Sequence, residues 1–141
     1  MAKNFNGVQI SQSVTISEQA GADIADVRNR VVKYDENGNV VLATAGTDVP
    51  VGIAIIEAGY NDISGAESGK VLDGDDVDIQ IKDIGYAIAA DTIKKGAEVA
   101  AAAGGAVATA KAGDYVLGYA LATAAKGSYV RVQISKYQKN A

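Results

Sequence analysis

Val51-Gly52-Ile53-Ala54-Ile55 returns later in the chain as Leu117-Gly118-Tyr119-Ala120-Leu121, and this pair decides how the sequence is read. Matching positions surround both copies: Gly38 answers to Gly104, Val41 to Val107, Asp48 to Asp114 and Ala58 to Ala124. Further on the spacing shortens, and Gly74 to Ile81 aligns with Gly127 to Ile134. The surplus lies in a Gly- and Ser-punctuated loop, 59–72, that only the first copy has. Self-similarity at this spacing marks a repeated supersecondary unit. Each unit is too short to bury a comfortable core alone, so the copies are expected to pack on each other. A glycine inside a strand marks a bulge or a close backbone approach, which points to Gly52 and Gly118 as the place where they meet.

The units read as strands. Val77, Ile79 and Ile81 alternate with Asp78, Gln80 and Lys82, and Val130, Val132 and Ile134 do the same in the second copy. That period of two predicts half-buried strands. Asn37-Gly38 between apolar runs signals a tight hairpin. Residues 97–112 are rich in Ala, the best helix former. Gly104-Gly105 interrupts them at the place of Asn37-Gly38, which favours a second hairpin over a helix. The fold class expected is all-β: a small barrel or sandwich built from a duplicated hairpin module, with an extended N-terminal arm. The arm covers 1–22 and a single β domain covers 23–141, with repeat copies at about 25–84 and 90–137. Val8, Ile10, Val14 and Ile16 sit on even positions among polar residues. They read either as a frayed end or as an arm that adds a strand to a partner.

Composition narrows function. The chain has no His and no Cys, which removes the commonest general base, the soft metal ligands and any thiol chemistry. No catalytic residue, cofactor or metal is therefore assigned, and an enzyme is not expected. The acidic run Asp73-Gly74-Asp75-Asp76-Val77-Asp78 lacks the Gly and Glu placement of a calcium loop and reads as a solvated turn. A net charge of −4 argues against a nucleic-acid partner. No segment has the run of apolar residues that a membrane helix needs, and the first residues lack the apolar core of a secretion signal. A soluble protein made in the cytoplasm is expected. With one Phe and no Trp the core is thin, which favours association of copies.

The order of signals carries a resemblance. It runs from Met1-Ala2-Lys3-Asn4-Phe5 through Pro50-Val51-Gly52-Ile53-Ala54, Asp83-Ile84-Gly85 and Ile93-Lys94-Lys95-Gly96 to Leu117-Gly118-Tyr119-Ala120 and Val130-Arg131-Val132. This resembles the capsid decoration (head auxiliary, or cement) proteins of tailed bacteriophages. The resemblance implies a β-rich protomer, a homotrimer, the major capsid protein as partner and a place on the exterior of the virion. There it would stabilise the expanded shell at capsomer junctions. Under that reading Phe5, Val8, Ile10, Val14 and Ile16 are expected to contact the capsid, and Tyr60, Ile63 and Tyr119 to make oligomer or loop contacts. Two other classes stay open: a fibre or surface adhesin module that binds glycans, and a lipoyl- or biotinyl-type carrier with Lys94-Lys95 in a turn.

Overall fold

The computed structural model describes residues 14–140. Ten strands follow one another: β1 (Thr15–Gln19), β2 (Val31–Tyr34), β3 (Val40–Leu42), β4 (Gly52–Ala54), β5 (Asp76–Gln80), β6 (Ile84–Ile88), β7 (Glu98–Ala101), β8 (Val107–Thr109), β9 (Tyr115–Ala120) and β10 (Tyr129–Gln138). They form two five-stranded antiparallel sheets, ordered β1-β5-β4-β2-β3 and β6-β10-β9-β7-β8. Adding five to each label of the first sheet gives the second, so the duplication covers the topology as well as the sequence. A parallel bridge near the ends of each sheet, Ala20 to Val40 and Ala89 to Val107, rolls it toward closure. The all-β expectation holds.

Backbone hydrogen bonds repeat with the strands. Gly21 donates to Val40 as Ala90 does to Val107, Ile24 to Val71 as Ile93 to Ala124, and Ile81 to Val14 as Ile134 to Asp83, all between 2.7 and 3.1 Å. By this pattern β1 is the counterpart of β6. Residues 15–22, expected in the arm, therefore lie inside the first unit. β1 pairs with β5 along its whole length, and Ala20 is fully buried. Each unit starts with this strand and precedes the copy boundaries read from the sequence.

Both expected hairpins form. β2 pairs with β3 and β7 with β8, and the Ala-rich segment turns through a short 3-10 stretch at Ala103–Gly105 instead of continuing as helix. At the first tip Gly38 has φ 80° while Asn37 stays at negative φ. The tip closes because the Asp35 carboxylate accepts N–H bonds from Asn37 and Asn39 at 2.8 and 3.0 Å. This is a wider loop than the two-residue turn that Asn-Gly suggests.

The first unit has a core of its own, including Val32, Val40, Val51, Val77 and Ile79. The second core is built from Val99, Val107, Leu117, Val130, Val132 and their neighbours, and it also takes in Val31, Ala43 and Ile53 from the opposite face of sheet 1. The halves thus stack with the outer face of sheet 1 against the inside of sheet 2. Burying an Ile or Val side chain contributes about 1.5–3 kcal/mol, so these few residues join the halves. Polar ties follow the same seam: Tyr115 N–H donates to the Gly46 carbonyl at 2.8 Å, Arg30 to Gly104 at 3.0 Å, and Lys136 Nζ to the Val51 carbonyl at 2.7 Å.

The strand glycines have a different reason than the one expected. A Cβ on Gly52 would overlap the carbonyl oxygen of Gln80 on β5, and one on Gly118 that of Gln133 on β10. Each glycine admits the neighbouring strand of its own sheet. Ile53, the next residue, is the one that reaches the other half.

Candidate interaction surface

In β6 the large residues point outward. The run Ile84-Gly85-Tyr86-Ala87 places Gly85 and Ala87 in the interior and leaves Ile84 49% and Tyr86 53% exposed. Gly85 is kept small by its neighbours, since a Cβ there would press on Ile53 Cδ1 at 3.1 Å. Tyr129, 61% exposed, stands on β10 beside them, and Ile56, 51% exposed, faces them from the first unit. These four, with Thr15, Ile55, Glu57 and Gln80, line a groove of about 500 Å3 between the halves. Singly exposed apolar residues are ordinary, but a contiguous apolar groove with a polar rim is the mark of a contact surface.

The groove is held rigidly. Gln80 Nε2 donates to the carbonyls of Lys82 and Ile84, both at 2.8 Å, and so fixes the link between the two sheets at the groove floor. Ile56 and Glu57 also border an adjoining cleft with Arg28 and Tyr60. There Arg28 and Asp26 form an ion pair at 2.8 Å, and the guanidinium holds the Asp26 carboxyl below its usual range.

The residues singled out from sequence are scattered over this frame. Phe5, Val8 and Ile10 lie outside the described residues. Val14 is exposed at the entry to β1, whereas Ile16 pairs with Ile79 and packs on the first core. Ile16 is therefore part of the sheet and not free to act as an arm residue. Thr15 lines the groove, so the expected arm joins the fold at its rim. Tyr60 and Ile63 sit on the first-copy loop, with Ile63 fully exposed at its tip. Asp62 organises that loop: its carboxylate accepts from Ser64 N, Ser64 Oγ and Glu67 N, and the Ser64 hydroxyl bond leads in lowering its pKa. The neck closes where Tyr60 N–H donates to the Lys70 carbonyl at 3.0 Å and Gly69 N–H donates to the Tyr60 carbonyl at 2.8 Å. Tyr119 belongs elsewhere, on the outer face of sheet 2, with its ring 6.0 Å from that of Tyr137.

Sequence reasoning missed Ile84, Tyr86 and Ile56. The alternation of β6 was visible, but the larger residues of an alternating strand read as the inward ones. The signal that reverses this is Gly85, which the chain could place only where Ile53 and Gln80 crowd the backbone.

Among the described residues no group of three His, Cys, Asp or Glu side chains is placed to hold a metal ion. The acidic turn is used locally, with Asp75 accepting from Leu72 N at 3.0 Å and Asp78 from Ser17 Oγ at 2.6 Å. Lys94-Lys95 enters β7 and does not form the tip of the β7–β8 hairpin, as a carrier lysine would. No helix among the described residues is long and apolar enough to cross a membrane.

No family model matches the chain, and no curated protein does. Among solved structures it is similar to the head fiber gp8.5 N base in bacteriophage phi29, with a TM-score of 0.62 and 19% identity over 92% of this chain and 100% of that one. At that identity the likeness is one of fold.

Proposed function

We propose that this chain is a structural protein of a bacteriophage head that binds the outer surface of the shell and acts by contact, without catalysis. The observation that carries the proposal is the fold likeness to a head fiber base, which spans that whole chain. The resemblance of the sequence to decoration proteins supports the same location independently. A decoration role at capsomer junctions is the finer reading: the major capsid protein is the partner, a homotrimer is the unit, and expanded shells gain contacts that resist internal pressure. Many copies on one lattice give avidity without a strong single interface. The groove of Ile56, Ile84, Tyr86 and Tyr129 is the contact face in this reading.

The likeness to a fiber base favours one second reading, in which the chain seats a head fibre on the shell and the contact surface stays the same. Purified protein mixed with heads that lack it should co-sediment saturably, and Tyr86→Asp should weaken that binding at least tenfold. Absence of saturable binding, or equal binding by the variant, overturns the respective claim. Binding to glycans and not to heads would favour an adhesin.

A further inference from the structure

The internal stacking is directional. Sheet 1 gives its outer face, Val31, Ala43 and Ile53, to the second half. Strand pairing identifies the same positions in sheet 2. Val31 pairs with Ile53 as Glu98 pairs with Tyr119, and Ala43 N–H donates to Val31 as Ala110 N–H donates to Glu98. Sheet 2 therefore carries a face equivalent to the docking face of sheet 1, and no third unit follows to cover it within residues 14–140. A heterologous contact of this kind leaves one face unmatched at each end, and repeat proteins close such ends with a polar cap.

The C-terminal end of β10 covers the unmatched face. β5 spans five residues and β10 ten, and the added turn of strand brings Tyr137 over Tyr119. Tyr137 packs against Ala100, Ala110 and Val116, its hydroxyl donates to Glu98, and Lys139 pairs with Glu98 at 3.0 Å. Backbone bonds from Gly113 N to Lys139 O and from Lys139 N to Asp114 O, at 3.1 and 2.8 Å, secure the tail.

Among the described residues the other end of the stack carries a cleft. On the second half the first meets Gly85, and Gly46 lies against Asp114 and Tyr115. The equivalents on the first half are Ile16, which pairs with Ile79 as Gly85 pairs with Val132, and Asp48-Val49. Ile16 and the 60% exposed Val49 line a cleft of about 550 Å3 with Tyr34, Pro50 and Ile81, and Lys136 of the second half borders it where its Nζ donates to the Val51 carbonyl. We propose that the outer face of sheet 2 is a second docking surface, complementary to this cleft on a second copy of the chain and closed in the free protein by the end of β10. Removing the closure turns the chain into a head-to-tail associating one.

The test is sedimentation of the full chain with Y137S/K139S, which frees Glu98 and uncovers Ala110, beside wild type at matched concentrations. The weight-average mass of the variant should rise with concentration to at least twice that of wild type. Val49→Asp added in the acceptor cleft should return it to the wild-type value. A folded variant that keeps the wild-type mass throughout overturns the proposal, as does association that survives Val49→Asp. Unchanged mass with a new affinity for phage heads would assign the face to another protein and likewise reject a second copy. Should Y137S/K139S fail to fold, Tyr137→Ala uncovers Ala100, Ala110 and Val116 while Lys139 stays on Glu98. Its mass must then exceed that of wild type at the highest concentration, or the proposal fails.

Discussion

Asn29 shows how much of this chain is decided by single backbone positions. It is buried, has φ 58°, and gives its N–H to Ala54 as Gly96, φ 89°, gives its own to Ala120. The two copies meet one left-handed requirement with the two residue types that tolerate it. Asn29→Gly should leave the unfolding free energy from urea titration within about 1 kcal/mol of wild type, whereas Asn29→Val should cost about 2 kcal/mol or more. Glu98 makes a pH prediction. The Tyr137 hydroxyl, and after it Lys139, hold its carboxyl below the usual range. A folded pKa below the unfolded value, near 4.3, gives stability that is complete above that pH and is lost as pH falls through the folded pKa. The stability difference between wild type and Glu98→Gln should therefore be flat around neutrality and shrink below about pH 4. A difference that grows on acidification would show that the Glu98 contacts are not made.

At the scale of elements, the first-copy loop is an addition to a complete unit. Ile24 bridges Val71 as Ile93 bridges Ala124, and the second copy passes from Leu121 to Ala124 without a loop. Deleting residues 58–70 should leave a folded chain whose thermal midpoint moves by only a few degrees, because loop length costs little. Loss of cooperative unfolding would mean that the loop is part of the core. Both hairpins and the strands around Ile79 and Val132 were legible in the sequence because alternation and glycine tips are local signals. The equivalence of β1 and β6 was not. Thr15-Ile16-Ser17-Glu18-Gln19 and Ile84-Gly85-Tyr86-Ala87-Ile88 share no residue at matching positions, and their pairing with β5 and β10 is what relates them. The groove was hidden for a related reason, since which face of β6 turns inward is set by Ile53, a residue far away in sequence.

For the whole molecule, duplication explains the scaffold and leaves the working surfaces to what differs between the copies. Val-Gly-Ile-Ala and its counterpart build two similar sheets, and the differences are Ile84, Tyr86 and Tyr129 at the groove, the loop after Ala58, and the long end of β10. The most direct measurement is electron cryo-microscopy of phage heads that lack the protein, imaged after mixing with wild type and with Tyr86→Asp. Regular wild-type density is expected on the outside of the shell, with the groove edge at Ile84 and Tyr86 against it, and strongly reduced occupancy for the variant. Bare heads at saturating wild-type protein, or equal occupancy by Tyr86→Asp, would contradict it.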